Sequence, residues 1–187
     1  MNSFQIQFSY WLKKTSHKAE TLSKSYKCGI CGKAHSNLPM DMSYENPAGY
    51  FKIPQNERAK RIHKSSDICV IDNKEFYIRG VLPLPVIDSG NEFRWGVWAK
   101  VNEPDFKIYI KYWDIDIPEN VQPLRGYLSG GLKYYPESDM LPVEIRLQAR
   151  NQRPIFRVLS DKTPLGIDQQ KGIAMEKVHS FVEPLLK

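Results

Sequence analysis

Two cysteines two residues apart, Cys28-Gly29-Ile30-Cys31, followed by Gly32 and then His35, constrain this chain more than any other feature. The spacing makes a tight turn that presents two thiolates to one metal ion, and Gly32 lets the backbone fold under the second sulfur without a Cβ clash. A tetrahedral site needs two further donors. His35, four residues after Cys31, and Cys69, at the start of an expected strand, complete the candidate ligand set, with His63 in reserve. A zinc held by Cys28, Cys31, His35 and Cys69 has no open position for water, so it would be structural. Two neighbouring thiols beside His35 favour a metal over a cysteine nucleophile, for which no third, orienting group is identifiable. The ordinary alternative for Cys69 is a buried thiol with no role beyond packing.

Three cysteines, an odd number, argue against a disulfide framework and for a reducing compartment. No apolar run reaches the ~18–20 residues that a membrane span needs, and the N-terminus lacks the order of a secretory signal. A cytoplasmic address is the expectation. The chain's 187 residues suit one domain, and a hydrophobic fraction of 41% with 12% aromatics is that of a folded protein. Its charge is lopsided: residues 1–64 carry 11 Lys and Arg against 4 Asp and Glu, and the rest carry 16 against 17. Such asymmetry marks either a solvated face or a surface for an acidic partner, a nucleic acid or an anionic lipid.

Phe4, Phe8, Trp11, Leu12, Ala19 and Leu22 recur at helical spacing, with Lys13, Lys14 and Lys18 mostly elsewhere on the wheel. An amphipathic helix over about residues 3–24 is predicted. A short basic helix is expected from Pro54 to about His63, since proline suits the first helical position. Strands follow at Asp67–Asp72, Glu75–Leu82, Phe93–Val101 and Phe106–Tyr112, with Pro83, Pro85, Asp88-Ser89-Gly90 and Pro104 read as linkers. In Phe93–Val101 the period-two rule places Trp95 and Trp98 on opposite faces, with Arg79-Gly80 in the preceding strand. Val143, Ile145, Leu147 and Ala149 alternate and then turn through Asn151–Pro154 into Ile155–Leu159, a predicted hairpin. A final helix is expected from Asp168 to about Leu185. The fold class is α+β: a mainly antiparallel sheet with flanking helices and an N-terminal zinc-knuckle-like segment.

Several blocks stand in order: Cys28-x-x-Cys31-Gly32-x-x-His35, Glu57-Arg58, Asp67-x-Cys69-Val70-Ile71-Asp72, Phe76-x-Ile78-Arg79-Gly80, Trp95-Gly96-Val97-Trp98, Gly126-x-Leu128 and Pro164-Leu165-Gly166-x-Asp168-Gln169-x-x-Gly172-Ile173. Together they resemble a family of small bacterial proteins catalogued as a domain of unknown function, from about Lys27 to His179. The resemblance implies a single bacterial domain over 27–187, with Cys28, Cys31 and Cys69 part of the family pattern. It brings with it no established activity and no assigned catalytic residues. Residues 1–26 lie outside it as a helical extension.

No glycine-rich phosphate loop, nucleophile elbow or His-Glu-x-x-His pair is present. The resulting reading is a non-enzymatic protein-binding module, an immunity or antidote protein that neutralises a bacterial toxin by occlusion. Lys13, Lys14 and Lys18 would steer the encounter, and Arg79 and Trp98 would anchor the partner. The first alternative is a zinc-containing nucleic-acid-associated protein, with Lys24, Lys27, Lys33, Arg58, Lys60, Arg61 and Lys64 toward phosphates and Tyr26 or Tyr50 stacking on bases. The second is an enzyme with a pocket near Trp98, Arg79 and Asp72.

Overall fold

The structure is a computed structural model that describes residues 38–183, together with the backbone of two short strands, β1 (Tyr26–Lys27) and β2 (Ala34–His35). The expected helix over 3–24 lies outside the described residues. Strands β1 and β2 pair antiparallel, Tyr26 opposite His35 and Lys27 opposite Ala34.

The remaining strands form one eight-stranded sheet. They are β3 (Asp41–Ser43), β4 (Ile62–Lys64), β5 (Ile68–Ile71), β6 (Glu75–Val86), β7 (Asn91–Val101), β8 (Leu124–Leu128), β9 (Pro142–Arg146) and β10 (Ile155–Val158). The pairings β7–β8, β8–β9, β9–β10, β10–β6 and β6–β7 close a five-stranded ring, so the sheet has a barrel-like core. Among the described strand pairings of this sheet only β3–β7 and β10–β6 are parallel. The α+β expectation holds, and the closure is new.

Helices α1 (Ala48–Phe51) and α2 (Arg58–Arg61) precede β4; α3 (Glu103–Tyr112) follows β7; α4 (Pro164–Lys171) and α5 (Met175–Val182) follow β10. Alternating residues of the long ribbon β6–β7, including Phe76, Ile78, Leu82, Phe93, Trp95 and Val97, point inward and meet Phe106, Val143, Phe156, Leu165 and Phe181 in one core. A smaller cluster of Ile53, Cys69, Ile71, Tyr77 and Trp98 occupies the outer side. The two tryptophans therefore do face opposite ways.

Four expectations change. Residues 106–112 are helical, although Phe106, Ile108, Ile110 and Tyr112 alternate. Asn102 caps the helix by accepting from the Asp105 amide at 2.7 Å, Pro104 occupies its first turn, and Glu103 and Asp105 complement its dipole. Those start signals outweigh β-propensity, and Phe106 and Tyr109 are buried three residues apart on one helix face.

Pro83 and Pro85 lie inside β6 rather than in a linker. Odd-numbered residues of β6 direct their backbone groups away from β7, and past Val81 no strand among the described residues lies on that edge. Proline leaves no amide unsatisfied there, while the Pro83 and Pro85 carbonyls accept from Gln169 and Ile173. The final helix is split at Gly172, whose φ of 83° ends α4. The hairpin connection after β9 is longer than predicted, since β9 ends at Arg146.

Candidate functional site

Both strands of the ribbon change neighbours partway along their outer edges. On β6, Glu75–Ile78 pairs with β5 and the Arg79 amide still donates to the Asp67 carbonyl at 2.8 Å. The Val81 amide then donates to Pro154 at 2.9 Å, and β10 takes over. Gly80 sits at that change. A Cβ there would lie 2.2 Å from the Phe156 ring, so only glycine lets the ring pass against the backbone. On β7, the Gly96 carbonyl accepts from Tyr44, just after β3, and the Trp98 carbonyl accepts from Ser129, just after β8. The two forks stand side by side because Arg79 is the register partner of Trp98 and Gly80 of Val97.

The fork on β6 is polar. Asp67 is 1% exposed. One of its carboxylate oxygens accepts from Arg153 Nε at 2.5 Å, the other from the Ser66 hydroxyl at 2.5 Å. Arg79 donates through Nη1 to the Ser66 carbonyl at 3.3 Å, and its guanidinium carbon lies 5.8 Å from the Trp98 ring centroid. Its Nε is buried without a hydrogen-bond partner. Burial, and then the neighbouring Arg153, push the Arg79 pKa down. Tyr109, 2% exposed, brings its hydroxyl within electrostatic reach of Asp67 and Arg153. That hydroxyl is also buried without a partner, and burial drives its pKa well above the ordinary tyrosine value.

The fork on β7 is apolar. A cavity of about 190 Å³ opens there, lined by Tyr44, Asn46, Phe51, Val97, Trp98 and Leu128 among others. Trp98 is held by its indole N–H, which donates to the Tyr44 carbonyl at 3.0 Å. The Tyr44 hydroxyl accepts from the Lys133 amide at 2.9 Å, and the Ala48 amide donates to Ser129 Oγ at 3.1 Å, which fixes α1 over the opening. Asn46 Oδ1 is buried without a partner, and Phe51 stands 64% exposed on the rim.

Of the residues singled out from sequence, Arg79 and Trp98 come together. Lys13, Lys14, Lys18, Cys28 and Cys31 lie outside the described residues, and His35 is described in its backbone alone. Cys69 is fully buried opposite Tyr77, and desolvation pushes its thiol up to about 12. Among the described residues no three of His, Cys, Asp and Glu gather as a metal site.

Asp72 does not join Arg79. It sits beyond the far end of β5 from Asp67, bound to Arg61 at 2.6 Å, and Arg61 also pairs with Glu57 at 2.6 Å. Tyr50 is overlaid by Arg58 at 4.5 Å and by Lys64 at 5.9 Å, so its ring already has cationic neighbours. Sequence reading missed Arg153 and Tyr109 as companions of Arg79. They lie 86 and 42 residues from Asp67, and nothing local in the chain signals that approach.

Among the described residues no helix is long and apolar enough to cross a membrane. No curated protein and no solved structure matches the chain. A family profile described as "Uncharacterized protein conserved in bacteria (DUF2199)" matches residues 27–173, and it takes in both forks, Cys28, Cys31 and Cys69. The chain belongs to this family of conserved bacterial proteins.

Proposed function

We propose that the protein is a protein-binding module whose working surface is the β7 fork, and that its partner is a bacterial toxin held in an occluded state. The observation that carries the reading is the size and make-up of the cavity. At about 190 Å³ it is smaller than the ~300–1,000 Å³ of typical small-molecule sites. It suits one inserted side chain. Trp98 at its wall and the exposed Phe51 on its rim are the residue types that dominate binding energy at protein interfaces. The nearby ionisable groups support binding over chemistry: burial moves Cys69 and Tyr77 away from neutrality, so neither is tuned for proton transfer.

Capture on the immobilised full chain from host lysate, with nuclease treatment, tests this. A stoichiometric protein that survives nuclease and is lost with Phe51→Ser supports the reading. Loss of every bound species on nuclease treatment overturns it. Lys13, Lys14 and Lys18, on the proposed extension 1–26, would serve to speed that association in a cytoplasmic setting.

Structural zinc remains part of this proposal, on Cys28, Cys31 and His35 with Cys69 as fourth donor. The pairing of β1 with β2 supports it, because it joins the chain immediately before Cys28 to His35. The surroundings of Cys69 among the described residues are largely apolar, so the site depends chiefly on the first three. About one zinc per chain by elemental analysis, lost in Cys31→Ser, is the expected result. Metal-free protein from zinc-supplemented medium would end it.

A further inference from the structure

We propose that the β6 fork is an oxyanion-recognition site in which Arg79, flanked by Arg153, receives a carboxylate or phosphate group. The argument starts from incomplete pairing. Arg153 is neutralised by Asp67 through a 2.5 Å contact, and Asp67 has its second oxygen occupied by Ser66. That leaves Arg79 as a half-buried cation with no ion pair among the described residues. Its one hydrogen bond among the described residues uses Nη1 and is long, at 3.3 Å. Among the described residues the Nε–Nη2 edge, the one that meets an oxyanion side-on with two parallel bonds, carries no partner; Nε is buried, so an oxyanion reaches this edge as the long Nη1 contact to Ser66 gives way and the guanidinium turns outward. A desolvated donor on a charged group is costly to leave unmade. The Tyr109 hydroxyl, 2% exposed and also unpartnered, lies within electrostatic reach of the same Asp67–Arg153 pair. Two orphaned polar groups, one on β6 and one on α3, thus lie in the field of the same Asp67–Arg153 pair.

Electrostatics agree with geometry. Two guanidiniums share one buried carboxylate, Asp67; the second carboxylate within electrostatic reach of Arg79, Glu45, is exposed and screened by solvent, and Arg79 keeps its side-chain position through the Trp98 ring. Arginine's planar fork matches carboxylate and phosphate where a lysine would not. This proposal does not depend on the cavity at the β7 fork, so either can fail alone.

The ligand group can arrive free or on a partner chain, and the probes separate the two sources. Inorganic phosphate, acetate and N-acetyl-glutamate α-amide are each titrated into the full chain at constant ionic strength, with the arginine Nε–H resonances followed by NMR. The expected result is a saturable shift of one Nε–H signal that is absent in Arg79→Gln. Affinity should fall ~10-fold or more in Arg79→Lys, which keeps the charge but loses the bidentate edge. Response to phosphate or acetate assigns a free oxyanion. Response confined to the peptide-like carboxylate assigns a partner side chain. If no probe moves the Arg79 signal, or if Arg79→Gln responds as the parent does, the site holds ordered water and the proposal is wrong.

Discussion

Trp95 and Trp98 stand three residues apart on one strand and are equally buried, at 0% and 1% exposure, yet they belong to different kinds of surface. Trp95 lies inside the ring among aromatic neighbours, with Phe93 at 5.2 Å and Phe181 at 5.3 Å between centroids, and its indole N–H is buried without a hydrogen bond. Trp98 lies outside, has its N–H satisfied by Tyr44, carries Arg79 over its ring and walls a cavity. The inner side accepts an unsatisfied donor in return for packing. The outer side satisfies the tryptophan and leaves its arginine neighbour incomplete. Burial alone therefore does not separate a structural tryptophan from a candidate binding one. What surrounds the indole does.

The sharpest way to break this comparison is to remove the inner ring and only trim the outer one. Trp95→Ala should cost about 3–5 kcal/mol, because it empties the centre of an aromatic cluster that cannot collapse onto the gap. Trp98→Phe should cost only about 1–2 kcal/mol, the loss of one hydrogen bond and some contact, while enlarging the cavity and weakening partner capture. Urea melts measure the first effect and affinity the second. Equal loss of stability with unchanged binding would place Trp98 in the same class as Trp95.

Gln169 extends the comparison to the edge where β10 leaves β6. Its carbonyl oxygen accepts from the Val158 amide at 2.8 Å, and its amide donates to the carbonyls of Phe156 at 2.8 Å and Pro83 at 3.3 Å. One side chain thus replaces the ladder bonds that β10 and β6 do not make beyond Ile155 and Val81. Gln169→Ala should lower stability by about 2–3 kcal/mol, since three partly buried backbone groups lose their partner. Gln169→Glu keeps the acceptor but turns the donor into a charge facing two carbonyls, so it should be no better. Neither change should alter binding at the forks.

How much of this was legible in the chain follows from where each signal is local. The ribbon was legible because Phe93, Trp95, Val97, Ala99 and Val101 alternate without interruption, and period two admits one reading. The helix at Glu103–Tyr112 was misread because Phe106, Ile108 and Ile110 alternate too. The deciding evidence was the Asn102 cap and Pro104 just upstream. Gly166 belonged to a recognised block, but its reason is tertiary: a Cβ there would come within 1.8 Å of the Ser160 carbonyl. The candidate site was half legible. Arg79 and Trp98 announced themselves by residue type and Asp67 comes with the local β5–β6 pairing, while Arg153 reaches the fork only because β10 closes the ring onto β6. A closed ring is a property of pairings between β6, β8, β9 and β10, and no single stretch of sequence encodes it.

The smallest expected effect lies on the outer side, in the cross-strand row formed by Lys64, Cys69, Tyr77, Lys100 and Tyr127. Lys100 pairs with Glu75, and the Tyr77 hydroxyl donates to the other carboxylate oxygen at 3.1 Å. Hydrogen bonding from Lys100 holds the Glu75 carboxyl below the ordinary glutamate value of 4.5. A depressed native pKa means that the unfolded chain binds the proton first, so stability is whole above pH 4.5 and fades as pH falls through the lowered native value. Both side chains are more than a third exposed, and solvent screening keeps the contribution to roughly 0.5 kcal/mol or less. Lys100→Met should therefore leave stability above pH 4.5 nearly unchanged and flatten its decline on the acid side. Urea melts of parent and variant on both sides of that pH make the measurement. A large loss in Lys100→Met at neutral pH would mean that the outer row is as tightly committed to the fold as the ring interior, and the contrast between the two sides would not hold.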